Sequence, residues 1–283
     1  MLKNRLKMTD LGIVDLREII RAIKSVYDYD FSNYALTSFK QRLERLMFRN
    51  SIPSPDILIK KLQEEPAFFD TFLYEISVPS TELFRDPSLW RWLREEYFQA
   101  AIEKNIGKFK IWLPGCVSGS ELYSLSILLS ETGLLDKVHI IASAISDKSI
   151  EKIKEGSHDT KKLEVSAENY KRFNGNKNFS TYYKDDRNCV FRDASLIGNV
   201  EFRKLNINFD NAPQNNKLIL FRNNLIYFNP TLQERVLLLL HESLSGSGHL
   251  VLGIREKISG NIAIKDFEVI NENESVYRKR ILS

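Results

Sequence analysis

Residues 108–131, Lys-Phe-Lys-Ile-Trp-Leu-Pro-Gly-Cys-Val-Ser-Gly-Ser-Glu-Leu-Tyr-Ser-Leu-Ser-Ile-Leu-Leu-Ser-Glu, restrict the fold more than any other stretch of the chain. Phe109 to Leu113 form an apolar run of buried-strand type, which Pro114 and Gly115 break. From Glu121 to Glu131 the apolar residues Leu122, Leu125, Leu128 and Leu129 recur at helical spacing. A strand, a turn carrying Gly115 and Gly119, and a helix make the first unit of an open α/β sheet. In such a sheet a ligand lies beyond the carboxyl end of the strand, against the helix N-terminus. Glycine suits that place because a side chain would hold the backbone away from the ligand. Taken alone, the stretch reads equally well as a tight βα turn with no ligand.

The 283 residues suffice for one large or two medium domains. Residues 9–75 read as helical. Thr9 and Asp10 are placed to cap a first helix through Leu16, Ile19, Ile20 and Ile23. A second helix is expected from Tyr34 to Arg49. Its apolar face holds Phe39, Leu43, Leu46 and Met47, while Arg42, Arg45 and Arg49 fall together on another. Ser54-Pro55 starts a third helix that continues to Gln63, and Pro66 to Glu75 make an aromatic fourth. The arginine stripe is either a solvated face or a docking surface for an acidic helix. In residues 76–98, Pro79 and Pro87 bound a segment that cannot be one helix, and Ser88 is placed to cap the next. Thr81 and Arg85 therefore fall on an irregular connection. Arg85 can serve a site there or form a surface ion pair with Glu82 or Asp86. The organisation expected is a helical domain over 1–75, a linker over 76–98 and an α/β domain over 99–283.

Within the α/β domain, His139 to Ile145 is a second strand, and Ser146 or Asp147 caps the following helix to Glu155. The polar, aromatic stretch 157–200 reads as an insertion. It holds a helix near 166–173 and a small β subdomain over about 175–200. Val200–Leu205, Lys217–Phe221 and His249–Ile254 are further strands, with a helix from Asn229-Pro230 to His241. Ser245-Gly-Ser-Gly reads as the turn into the last of these. Phe267–Ile270 and Val276–Ile281 close the chain as a hairpin. A parallel set finished by a C-terminal antiparallel hairpin is the pattern of the Rossmann-like class I methyltransferase sheet.

Other classes are disfavoured. The four scattered histidines support neither a metal site nor a His-based triad, and Cys116 and Cys189 have no metal-ligand spacing. A net charge of +4, with no aromatic platform among the arginines, argues against nucleic acid. No apolar run reaches membrane-spanning length and no signal-peptide core follows Met1, so no membrane insertion is expected; two cysteines without a disulfide framework make a reducing cytoplasm the default, and a monomer is the default oligomeric state.

Three motifs carry a resemblance. Thr-Glu-Leu-Phe-Arg-Asp-Pro at 81–87 is similar to Asn-x-Thr-x-Phe-Phe-Arg of the CheR family, the chemotaxis receptor methyltransferases. Gly-Cys-Val-Ser-Gly-Ser-Glu-Leu-Tyr-Ser at 115–124 is similar to its Gly-Cys-Ser-Thr-Gly-Glu-Glu-Pro-Tyr-Ser. Leu-Phe-Arg-Asn-Asn-Leu-Ile-Tyr-Phe at 220–228 resembles Cys-Arg-Asn-Val-Leu-Ile-Tyr-Phe, and the order and spacing also match. The resemblance implies methyl transfer from S-adenosylmethionine to glutamate carboxylates on a chemoreceptor cytoplasmic helix. It implies Arg85, Arg222 and Tyr227 at the reacting groups. Thr81, Arg85, Gly115, Gly119, Glu121, Asn206, Ile207, Phe221 and Arg222 would line the cofactor, and Arg42, Arg45 and Arg49 would dock the receptor helix. The departures are Pro79 for Asn, Ser120 for Glu, Leu122 for Pro, Phe221 for Cys, and Ala144 where an acidic residue would take the ribose hydroxyls. Loss of such a carboxylate costs about 1.5–3 kcal/mol of binding. The departures keep open a second reading, a receptor-binding or regulatory module that has lost methyl transfer.

Overall fold

In the computed structural model the described residues are 10–77, 81–103, 108–186, 189–207, 210–258 and 263–280. They fall in two units, residues 1–78 with 224–235 and residues 79–223 with 236–283. In the first, the helical periodicity gives α1 (Ile13–Tyr27), α2 (Leu36–Arg49), α3 (Pro55–Glu64) and α4 (Pro66–Ile76). The cap of α1 differs from expectation. Thr9 lies outside the described residues, and the N-cap is Gly12, whose amide donates to the Asp15 carboxylate at 2.7 Å. Asp10 instead accepts from Lys40 Nζ at 2.5 Å. Phe39, Leu43, Leu46 and Met47 are fully buried, and Phe31 stacks on Phe39 with centroids 5.3 Å apart. Residues 224–235 join this unit through main-chain bonds, Ala35 N to Tyr227 O at 2.8 Å and Asn229 N to Asn33 O at 2.9 Å.

The second unit begins with α5 (Pro87–Trp92), which runs through a π-helical turn at Leu93–Phe98 into α6 (Gln99–Glu103). Ser88 does not cap α5. Asp86 holds the N-cap position with a positive φ of 57°, and Ser88 lies inside the first turn. There follow β1 (Phe109–Leu113), α7 (Ser120–Glu131), β2 (Val138–Ala144) and α8 (Asp147–Glu155), capped by Ser146. The insertion contains β3 (Ser157–His158), α9 (Leu163–Phe173), β4 (Tyr183–Asp186) and β5 (Cys189–Arg192). Its three strands are ordered β3-β5-β4, so the small sheet starts at Ser157, well before the expected 175. The chain then forms β6 (Glu201–Lys204), β7 (Asn216–Leu220), α10 (Pro230–Ser243), β8 (Leu244–Val251), α11 (Ala263–Asp266), β9 (Phe267–Asn271) and β10 (Val276–Lys279).

The main sheet is ordered β6-β2-β1-β7-β8-β10-β9. The first five strands are mutually parallel, and β10 runs antiparallel to both neighbours. This is the class I methyltransferase sheet, with its centre fixed by Ile111 opposite Ile140 and Leu218. Ser245–Gly248 proves to be an irregularity inside β8 rather than a separate turn. Register against β7 moves from Asn216–Leu244 to Leu218–His249, and Ser247 absorbs the bend at φ 58°. Leu122, Leu125, Leu128 and Leu129 of α7 are buried against this sheet, as the spacing predicted. Among the described residues no helix is long and apolar enough to cross a membrane.

Candidate functional site

Parallel strands place their carboxyl ends on one edge, so the segments after β1, β2, β6 and β7 converge there. After β1, Gly115 and Gly119 both take positive φ, 69° and 72°. Gly115 is exposed at the strand end, whereas Gly119 is buried at the N-cap of α7. A Cβ on Gly119 would lie 2.9 Å from Ile153 Cγ2, so this glycine lets α7 and α8 approach. Between them Cys116 is buried beside Glu121, and its thiol is pushed up to about 12, chiefly by burial. It stays protonated and is no nucleophile at neutral pH.

Segment 81–86 lies against the start of α7. The Ser120 hydroxyl donates to Thr81 O at 2.6 Å, and the Ser124 hydroxyl accepts from Phe84 N at 2.8 Å. From α9, Ser166 Oγ accepts from Leu83 N at 3.1 Å and Asn169 Nδ2 donates to Leu83 O at 3.1 Å. Trp90 Nε1 donates to Arg85 O at 2.9 Å. These bonds hold two non-glycine residues, Phe84 and Asp86, at φ 50° and 57°. Each costs about 1–2 kcal/mol of backbone strain. Phe84 compensates by full burial, stacked on Phe173 with centroids 4.6 Å apart. Ser120, where the resemblance has a glutamate, is thus a buried latch on this segment.

Arg222, two residues past β7, closes the arrangement. Its side chain has 0% exposure, Nη1 donates to Glu121 Oε1 at 2.7 Å, and Nη2 donates to Asp86 Oδ2 at 2.5 Å. Nη2 also reaches Arg85 O at 3.4 Å. A buried guanidinium requires such compensation. The two carboxylates are only partly covered, with side-chain exposures of 25% for Glu121 and 26% for Asp86. Burial raises the Glu121 carboxyl above its ordinary value, and Arg222 opposes that rise. Arg85 is the open cation of the group, 39% exposed with its Nε 4.0 Å from Glu82.

The remaining candidates line the edge less directly. Phe221 is buried, its amide bonded to Val251 O at 2.9 Å. Asn206 is buried and its amide donates to Asp210 Oδ2 at 2.6 Å; Ile207 follows, partly exposed. At the end of β2, Ala144 is buried and presents no acid, and Asp147 pairs with Lys204 at 2.7 Å. Pro79 lies outside the described residues. Tyr227 belongs to the helical unit, where its ring lies 4.6 Å from the Arg42 guanidinium. Arg42 is not part of an exposed stripe. It is 7% exposed, and it donates to Ile76 O at 2.8 Å, Ser38 O at 3.1 Å and Ser38 Oγ at 2.8 Å. Arg45 is exposed, and Arg49 pairs with Glu75 at 2.9 Å.

Sequence reasoning passed over Asp86, Ser124 and Arg192. Arg192, at the end of β5, is buried, and among the described residues it forms no ion pair. Its Nη2 donates to Ser118 O in the glycine loop and to Ser157 O, both at 2.8 Å, and its guanidinium lies 4.3 Å from the Tyr123 ring. Burial lowers its pKa. Asp86 could have been suspected from Arg-Asp-Pro at a helix start and Ser124 from its place at the end of the 115–124 motif, but nothing local in the sequence points to Arg192.

Residues 79–275 match the family described as CheR methyltransferase, SAM binding domain, and residues 14–77 match CheR methyltransferase, all-alpha domain. The chain belongs to the CheR methyltransferase family. The Cher3 protein of Pseudomonas putida is 33% identical over 266 residues, covering 94% of this chain and 97% of that protein. A protein named chemotaxis protein methyltransferase 1 in Pseudomonas aeruginosa is 29% identical, over 77% of this chain and 81% of its own length. A chemotaxis protein methyltransferase of Listeria monocytogenes is 23% identical, over 84% and 88%. The cofactor of this CheR chain is S-adenosylmethionine, and residues 79–275 match its binding domain.

Proposed function

We propose that this CheR chain methylates glutamate carboxylates on the cytoplasmic helix of a chemoreceptor, acting in the cytoplasm. The observation that supports it best is the Arg222 clamp, which sets the carboxylates of Asp86 and Glu121 and the main chain of Arg85 beside the glycine loop. The donor set suits the amino-acid end of S-adenosylmethionine. Glu121 and Asp86 present partly exposed carboxylate edges for its ammonium, and Arg85 an accessible guanidinium for its carboxylate. When bound, the cofactor supplies a sulfonium-activated methyl group. A glutamate carboxylate is ionised at neutral pH, so no general base is required of the protein. The chain's task is alignment. In this reading Arg222 acts through Glu121 and Asp86 as a positioning residue, because its terminal nitrogens already serve groups of its own chain. Arg85 remains for the substrate carboxylate; in the helical unit the Tyr227 hydroxyl is a proposed substrate contact, and exposed Arg45 and Arg49 are proposed to dock an acidic helix.

The test uses the full chain, methyl-labelled S-adenosylmethionine and chemoreceptor cytoplasmic fragments. Base-labile label on receptor glutamates, lost in Glu121→Ala, is the expected result. Binding of a receptor fragment with no label transferred, and no heat of binding for S-adenosylhomocysteine, would instead make the chain a receptor-binding module.

A further inference from the structure

The turn after β7 and the turn after β8 are joined by one carboxylate. Glu256 Oε2 accepts from Asn223 N at 2.7 Å and from Gly253 N at 2.8 Å, with the residue 3% exposed. Glu256 N in turn donates to Gly253 O at 2.7 Å, so the second turn is closed on itself as well as tied to the first. The two turns approach closely at Gly253. A Cβ on Gly253 would lie 2.7 Å from Asn223 Nδ2, 2.9 Å from Glu256 Oε2 and 3.0 Å from Asn223 N. The amide of Asn223 belongs to the peptide that follows the Arg222 Cα, and Asn223 itself takes φ 57°. A bond to that amide therefore fixes the peptide plane from which the Arg222 side chain departs. The bond from its amide to the Glu256 carboxylate is what holds a left-handed asparagine in place there.

We infer that Glu256 is a positioning residue for Arg222: by stapling the turns after β7 and β8 it sets the guanidinium where it can hold Asp86 and Glu121. The inference rests on the proposed cofactor site only for its effect on binding, since the staple and the clamp are properties of the chain itself. Nothing in residues 252–258, Leu-Gly-Ile-Arg-Glu-Lys-Ile, marks this carboxylate in the sequence. One of its partners, Asn223, comes from a strand end 33 residues earlier.

Three variants of the full chain test it: Glu256→Ala, Glu256→Gln and Gly253→Ala. Two measurements are made on each, amide hydrogen exchange at Leu83, Phe84, Asn223 and Gly253, and calorimetric titration with S-adenosylhomocysteine. Glu256→Ala should lose protection at Asn223 and Gly253 and also at Leu83 and Phe84, which depend on the Arg222 clamp, and should bind at least tenfold more weakly. Glu256→Gln keeps an oxygen able to accept both bonds, and should restore protection and bring affinity to within about threefold of the parent. Gly253→Ala leaves the carboxylate intact but forces the turns apart, and should reproduce the Glu256→Ala pattern even if that variant does not fold. Loss of protection at Asn223 and Gly253 with Leu83 and Phe84 unchanged would overturn the inference, as would a Glu256→Gln variant no better than alanine. A parent chain that does not bind S-adenosylhomocysteine would sink the proposed function, while the exchange data would still decide on the staple.

Discussion

Two segments form the near side of the proposed site, and they reach similar backbone shapes by different means. The glycine loop, 115–119, places positive φ at Gly115 and Gly119, where no side chain resists it. Segment 81–86 places positive φ at Phe84 and Asp86, which do resist it, and is held there by Ser124, Ser166, Asn169, Trp90 and Arg222. The first shape is local and the second is imposed by the rest of the unit. A loop of the first kind survives loss of its neighbours. One of the second kind relaxes as soon as its anchors go, so its geometry depends on the integrity of the site.

The largest effect should follow Arg222→Met. It leaves Asp86 and Glu121 without their shared cation and frees segment 81–86, and should cost about 2–4 kcal/mol in denaturant unfolding, less than a fully buried pair because both acids are partly solvated. Gly119→Ala comes next. The left-handed backbone and the Ile153 contact at 2.9 Å together should cost about 2–3 kcal/mol, against about 1 kcal/mol for the exposed Gly115→Ala. Equal costs at the two glycines would show that the Ile153 contact adds nothing to the cost of the left-handed backbone at Gly119. Ser124→Ala removes the acceptor of the buried Phe84 amide, for about 1–2 kcal/mol, and hydrogen exchange should speed up in 81–86 and not in 115–119.

The smallest effect is that of pH. The Glu121 carboxyl is raised, so on acidification it takes up its proton above the pH of an ordinary glutamate, near 4.3. The sign matters. A raised folded-state pKa contributes stability that is present below the unfolded value and lost as pH rises through the folded one. Protonation of Glu121 should therefore weaken S-adenosylhomocysteine binding and loosen 81–86 without lowering the global stability that this group contributes. Calorimetric titrations at a series of pH values, alongside thermal unfolding, check both halves. A parallel fall in melting temperature over the same interval would mean that other acids are responsible.

What could be read from the sequence follows the same division. Strands β1, β2, β6 and β7 sit within about a residue of their apolar runs, and the fold class followed from the order of runs and turns. Gly115, Gly119, Glu121 and Arg222 could be named because each lies in a short motif. The geometry of Phe84 and Asp86 could not, since nothing in Leu-Phe-Arg-Asp-Pro announces a left-handed residue that only distant side chains stabilise. Arg42 failed for a related reason. The helical wheel groups it with Arg45 and Arg49, but its neighbours Ile76 and Tyr227 come from other parts of the chain. Ser245–Gly248 has turn composition, yet pairing with β7 keeps it within a strand as a bulge. The small sheet began early because β3 has only two residues, too few to show a period.

In the proposed cofactor site, Arg222 holds an imposed segment against a local one. Titration of Arg222→Met with S-adenosylhomocysteine, at a temperature where circular dichroism shows it folded, tests this most directly. Affinity at least tenfold below the parent, with fast exchange at Leu83 and Phe84, is the expected result. A folded Arg222→Met chain that binds as tightly as the parent would contradict it.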